Sequence, residues 1–380
     1  MRRTRRIVFA AISLVVGSAA AVVVAEATLR IADRPRPVHV GWAGGAPGEQ
    51  NDFGFRGHKF DPGADLRVVL LGDSQVEAGG TKFADLPEVH LRRALAAECR
   101  RTVSVVSIAA GGWGQDQELL ALSASIGTIR PAAVVLWFTA ENDLWNNTFP
   151  THFPKDGWPK PTFWLEGAAL RGPNIPWLAA YRAPQLYVRR ALRRVLGEPN
   201  YPTDRDWEAH LPAAYRPMTP TPATPSLARV LAAHRGIRVD ELPYFAGENF
   251  DTEKTHYSIY LVPESPRLRY AATLTRTLLT RIQRLSREHH AEFVIVDTTR
   301  WHGGAIPEAP TLFEVNGKAY MLSTDSARRL IAGVLDGFPT IHVGGIGDDM
   351  VISRTDHHLA AQGNRMVMES VAKHLAREFR

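Results

Sequence analysis

Arg67-Val-Val-Leu-Leu71 is a short run of valines and leucines that stops at Gly72. A run without polar alternation is a strand covered on both faces, which is the habit of parallel sheets. Two more runs of this kind follow, Thr102–Ala109 and Ala133–Thr139, each separated from the one before it by a helical stretch. From Phe83 to Cys99 the spacing of Leu86, Val89, Leu91 and Leu95 predicts a helix, and Asp116–Ile129 predicts a second, which Pro131 ends. Strand, helix, strand, helix, strand implies a parallel sheet with helices on both faces. Ligands then sit beyond the carboxyl ends of the strands. All three runs end in a polar or glycine-rich loop.

From about Leu144 to Pro263 the pattern breaks. Many prolines, including a cluster from Pro212 to Pro225, accompany Trp145, Trp158, Trp164, Trp177 and Trp207. This is a long insertion with some helix, such as Tyr187–Val195, and segments of this length tend to be lids or binding surfaces. The sheet pattern resumes with a helix over Leu268–Arg287, a strand over Glu292–Asp297, a helix over Ala327–Leu335, a strand over Thr340–Val343 and a last helix over Leu359–Phe379.

The chain opens Met-Arg-Arg-Thr-Arg-Arg and continues as an uncharged apolar run from Ile7 to Ala25. Nineteen helical residues reach just under about 30 Å, the thickness of a bilayer's hydrocarbon core. The arginines precede the run, which orients the rest of the chain to the outer side. Ala25-Glu-Ala27 also fits a signal-peptide cleavage site, and a cleaved signal would release the body instead of holding it. Of the net charge of +6, four positive charges lie in the first six residues. The basic balance is therefore local, and it does not argue for nucleic-acid binding. Cys99 is the single cysteine, so neither an internal disulfide nor a multi-cysteine zinc site is expected. Ile31 to about Asp65 reads as a Pro/Gly-rich stalk, in which Asn51-Asp-Phe-Gly-Phe-Arg-Gly57 has the look of a segment that docks on the core.

Three strand ends carry residues suited to acyl chemistry. In Val69-Leu-Leu-Gly-Asp-Ser-Gln75 a serine follows a buried strand and starts a helix, so that its own N–H is one of the unpaired donors at the helix N-terminus. A plain turn with Ser74 as helix cap is the alternative. Gly111-Gly-Trp-Gly114 follows the second strand, where glycine lets backbone N–H approach a ligand, or simply makes a turn. Asn142, after the third strand, offers a side-chain amide or caps a helix. Ser74 N–H, Gly112 N–H and Asn142 would make an oxyanion hole with three donors. Near the C-terminus, Thr355-Asp-His-His-Leu supplies an aspartate followed by two histidines, the partners that a serine nucleophile needs.

With these residues in this order, the chain resembles the SGNH (GDSL-type) hydrolases, whose naming residues correspond to Ser74, Gly112, Asn142 and His358. The resemblance covers about Val68 to Leu375, apart from the insertion. It is nearest to bacterial membrane-anchored members, with Glu26-Ala-Thr-Leu-Arg30 after the anchor and Asn51 to Arg56 before the first strand. One residue separates Asp356 from His358, where the familiar family spacing has two; the resemblance implies His358 as base, with His357 the alternative. It implies a structural role for Asp73.

The implied fold is a three-layer α/β/α sandwich with a flavodoxin-like parallel sheet. Residues 1–30 would be the basic tip and anchor, 31–65 the stalk, and 66–380 the catalytic domain carrying the insertion at about 144–263. The implied function is a serine esterase, without metal or cofactor, acting through an acyl-Ser74 intermediate on a short acyl ester of a small molecule or of an envelope glycan or lipid. Alternatives are an O-acyltransferase that uses the same triad on a surface polysaccharide, and a silent SGNH domain that binds glycan or scaffolds a complex.

Overall fold

Alternate side chains along each strand decide the architecture, because they face opposite sides of the sheet. A computed structural model describes residues 2–32, 48–148, 151–152, 158–174, 188–189, 192, 195–196, 238, 256–299, 313–315, 318–353 and 356–379. Its central sheet has five strands: β1 (Leu66–Gly72), β2 (Val103–Ala109), β3 (Ala133–Phe138), β4 (Glu292–Asp297) and β5 (Thr340–His342). Their order is β5-β4-β3-β1-β2, and every neighbouring pair is parallel.

One face of the sheet presents Val69, Leu71, Val106, Ile108, Val134, Leu136, Phe293 and Ile295. Against it pack α4 (Gln115–Ile129), α6 (Pro266–Glu288) and α7 (Thr324–Leu335). The other face presents Val68, Leu70, Val105, Val135, Trp137, Val294 and Val296 beneath α3 (Pro87–Cys99) and α8 (Ala361–Phe379). This is the expected three-layer sandwich. The chain enters at β1, moves outward to β2 and returns past β1 to β3, so that connections leave β1 and β3 in opposite directions. Beyond such a switch point a cleft opens at the carboxyl ends of the strands.

The expected helix over Phe83–Cys99 is interrupted. A 3₁₀ turn (Phe83–Asp85) is followed by Leu86 in extended backbone, and α3 begins at Pro87. Proline at the first helical position forces the residue before it out of the helical region. Helix α7 starts three residues earlier than expected, because the Ser323 hydroxyl caps it by accepting from Ser326 N–H. Phe313–Val315, Lys318–Leu322 and Leu261–Val262 form a small antiparallel sheet that no sequence pattern announced. Within the insertion, Thr162–Glu166 and Ala169–Asn174 pair as a hairpin. The proline cluster at 212–225, Trp177 and Trp207 lie outside the described residues, as do residues 33–47 of the stalk.

The N-terminal helix α1 (Arg2–Ala32) contains one stretch, Arg5–Leu29, that is long and apolar enough to serve as a membrane anchor or signal. Its apolar side chains, Phe9 and Val15 among them, are exposed.

The Asn51–Gly57 segment docks as expected, and it docks on the edge strand. Asn51 Nδ2 donates to Ser107 O of β2 (2.8 Å), while Asn51 Oδ1 accepts from Phe53 and Phe55 N–H. The Phe55 ring meets Trp113 edge-on at 5.4 Å. Buried Glu88 accepts from His58 N–H (2.6 Å) and from Ser107 N–H (3.3 Å). The open edge of β2 is thereby occupied by this chain's own lead-in.

Candidate active site

Gly72 closes β1 where no side chain fits: a Cβ there would stand 2.5 Å from Val76 Cγ2 and 3.4 Å from Trp137 Cβ. Asp73 then caps a four-residue helix, α2 (Ser74–Glu77), its carboxylate accepting from Gln75 N–H (2.9 Å). Ser74 is therefore the first residue of the helix, half-buried at the carboxyl edge of the sheet, with its own N–H unused by the helix ladder.

So short a helix has little cohesion of its own. Its C-terminal carbonyls are held by buried Arg56, whose guanidinium donates to Glu77 O (3.1 Å), Ala78 O and Thr81 O (2.9 Å) and also pairs with Glu49 (2.8 Å). The lead-in thus braces the turn that presents Ser74.

The loop after β2 comes to the same place. A Cβ on Gly111 would lie 3.7 Å from Ser74 Cβ. Gly112 has φ +72°, a left-handed backbone that suits glycine, inside a turn closed by Trp113 N–H on Ala110 O (3.2 Å). Gly111 N–H donates to the Glu77 carboxylate. Sequence reading missed Glu77; its one signal was its position three residues after Ser74, on the same side of a helix.

After β3 comes α5 (Ala140–Asn146). Asn142 is 6% exposed, and its Nδ2 donates to Asp73 Oδ2 (3.0 Å), which brings the amide beside the residue preceding Ser74. One of its two N–H groups is spent on Asp73, leaving the other for a ligand. Burial raises the Asp73 pKa, opposed in turn by the Gln75 N–H, the Asn142 amide and the charge of nearby His358.

Asp356 and His358 form a compact pair. The Asp356 carboxylate accepts from His358 backbone N–H (3.1 Å) and meets its Nδ1 at 2.5 Å. A carboxylate can only accept, so Nδ1 carries the proton in this bond. The next residue ties this loop to α2: Leu359 N–H donates to Gln75 Oε1 (3.2 Å). Both of these carboxylate bonds go to His358.

A second Asp–His pair, Asp297 and His342 (2.9 Å), stands at the ends of β4 and β5. Three strand spacings separate β5 from β1, roughly 14 Å, too far for His342 to serve Ser74.

Behind the site lies a buried polar layer. Asp143 Oδ2 accepts from Gln115 Nε2 (2.7 Å) and Thr139 N–H (2.9 Å). Lys160, from the insertion and 1% exposed, reaches Asp116 Oδ2 (2.5 Å) and Asn146 O (2.6 Å). Burial pushes the pKa values of Asp143 and Glu118 well up, and neighbouring carboxylates add to this in both. Burial also raises Asp116 and lowers Lys160, each opposed by its partner. Among the described residues, no group of three or more His, Cys, Asp or Glu side chains is arranged to hold a metal ion.

No family profile and no curated protein matches this chain. Among solved structures, the chain is similar to a lipase from a goat rumen metagenome at 10% identity, over 81% of this chain and 96% of that one, with a TM-score of 0.37. It is similar to a family 3 carbohydrate esterase of Clostridium thermocellum at 11% identity, over 82% and 98%, with a TM-score of 0.35. A GDSL-like lipase of Bacteroides thetaiotaomicron matches at 9% identity, over 82% and 88%, with a TM-score of 0.29. Likeness this distant assigns no residue and no substrate. The chain is thus similar at the level of fold to lipases and an esterase, one of the lipases described as GDSL-like.

Proposed function

We propose that this protein is a serine esterase of the SGNH type, held by α1 on the outer face of a cytoplasmic membrane, with Ser74, Asp356 and His358 as its triad. The observation that carries the reading is the Asp356–His358 pair and its link through Leu359 and Gln75 to the helix that begins with Ser74. His358 Nε2 takes the Ser74 hydroxyl proton as the oxygen attacks an ester carbonyl. The charge that develops on the carbonyl oxygen meets Ser74 N–H, Gly112 N–H and the second N–H of the Asn142 amide. His358 then gives the proton to the departing alcohol. A water, deprotonated in the same way, releases the acid and restores Ser74.

Asp73 is here a positioning residue that orients Asn142, and Glu77 plays the same part for the Gly111–Gly112 turn. The half-exposed triad suits a short acyl ester, such as an O-acetyl group on an envelope glycan or lipid. The body outside α1 divides into a lead-in up to residue 65 and a catalytic domain from 66 onward.

The test is labelling by a fluorophosphonate and turnover of short-chain aryl esters by the full-length protein in detergent. Both are expected in the wild type and lost in Ser74→Ala. Wild-type protein that neither labels nor turns over esters would overturn the reading.

A further inference from the structure

Glu26 stands one residue past the apolar run of α1, where a spanning helix leaves the hydrocarbon. Its carboxylate accepts from the backbone N–H of Val188 (3.0 Å), a residue of the insertion 162 positions further on. Val188, Arg189, Leu192 and Val195 are helical, and Leu196 N–H donates to Leu192 O (2.9 Å). Val188 therefore lies at the point where α1 emerges. Leu192 is 57% exposed, Val195 83% and Leu196 63%.

In the sequence, Val188, Ala191, Leu192, Val195 and Leu196 follow the i, i+3, i+4, i+7, i+8 spacing of one helical face. The positions between them are Arg189, Arg190, Arg193 and Arg194, and no acidic residue occurs from Leu186 to Gly197. Single exposed apolar residues need no explanation. Three large ones together on one face of a basic stretch, Leu192, Val195 and Leu196, do, and this pattern is that of helices lying in a membrane interface.

We infer that the helical stretch carrying Val188 to Val195 docks on the lipid surface beside α1, with Leu192, Val195 and Leu196 in the headgroup–acyl boundary and the basic residues between them on anionic headgroups. The inference rests on α1 being an uncleaved anchor. Two observations favour lipid over a protein partner: continuity with the exit point of α1, and four arginines matched to anionic headgroups. Docking there fixes the body of the enzyme at two places, and so fixes how the Ser74 edge of the sheet is presented to the envelope.

The test uses full-length protein in vesicles of phosphatidylcholine, with or without phosphatidylglycerol. Cys99→Ser gives a cysteine-free background, in which Val195→Cys, Val15→Cys and Asp325→Cys each carry an NBD fluorophore. Nitroxide-labelled lipid is expected to quench the probes at 195 and 15 severalfold more than the one at exposed Asp325. Quenching at 195, but not at 15, should weaken without phosphatidylglycerol and when the four arginines are changed to glutamate. A probe at 195 that behaves like the one at 325 while 15 is quenched overturns the docking and leaves the anchor standing. Loss of quenching at 15 overturns the anchor itself. A blue-shifted probe at 195 that lipid nitroxides do not reach means that protein covers this face, and also overturns the inference.

Discussion

Asp356 accepts two bonds from a single residue, so its removal should affect chemistry more than binding. Asp356→Asn is expected to lower kcat by about 10²–10⁴, the range of general acid–base contributions, with KM nearly unchanged. Steady-state kinetics on a short aryl ester checks this, and His357→Ala should leave both constants close to wild type. Asn142→Ala is expected to cost roughly 10²–10³ in kcat, as the loss of one oxyanion donor does. Glu118 makes the opposite kind of prediction. A carboxyl whose pKa is raised on folding keeps its proton in the native chain at pH values where the unfolded chain has lost it. Its cost to stability therefore begins above the ordinary value of 4.5 and grows as pH rises toward the native one. Glu118→Gln, which cannot ionise, should raise Tm at pH 9 by about 2 °C or more and make little difference at pH 4. Thermal melts at the two pH values decide it.

The polar layer between α4 and α5 is where an element of the insertion takes hold of the core. Lys160 joins the first turn of α4, through Asp116, to the last turn of α5, through Asn146 O. Lys160→Met leaves the Asp116 carboxylate buried and unmatched, which typically costs about 3–5 kcal/mol, and Asp116→Asn in the same chain should restore much of it. Chemical denaturation of the two variants separates this pair from a general packing effect. Elements of this kind also mark the limit of what sequence reveals. β1, β2 and β3 were readable because each is largely apolar and ends in glycine or a polar loop, which is also why Ser74, Gly112 and Asn142 could be found. Lys160, Glu118 and Glu77 were not readable, since an isolated charge looks the same in sequence whether it faces water or another charge. The break before α3 was written in Pro87, but the apolar spacing across it was the louder signal. The antiparallel strands around Phe313–Leu322 are too short, and too dependent on one another, to show a period of their own.

For the whole molecule, the order β5-β4-β3-β1-β2 gathers three separate loops at one edge, and the C-terminal loop completes the set from the layer of α3 and α8. The same order leaves β2 at the margin of the sheet, with the lead-in laid against it. For the anchored esterase proposed above, that has a bearing on how the body could leave the membrane intact. A cut between Ala25 and residue 47 frees a body that still owns Asn51, Arg56 and His58, and this body should remain monodisperse in light scattering and react with fluorophosphonate. A form begun at Asp65 loses the Asn51 bond to Ser107 O and the Arg56 grip on α2 together. Its bare strand margin should recruit other copies, giving rising scatter and weak labelling at equal protein concentration. On the proposed anchoring, shedding is expected to be tolerable only within a narrow stretch of chain, with the position of the cut deciding between a soluble body and a precipitate.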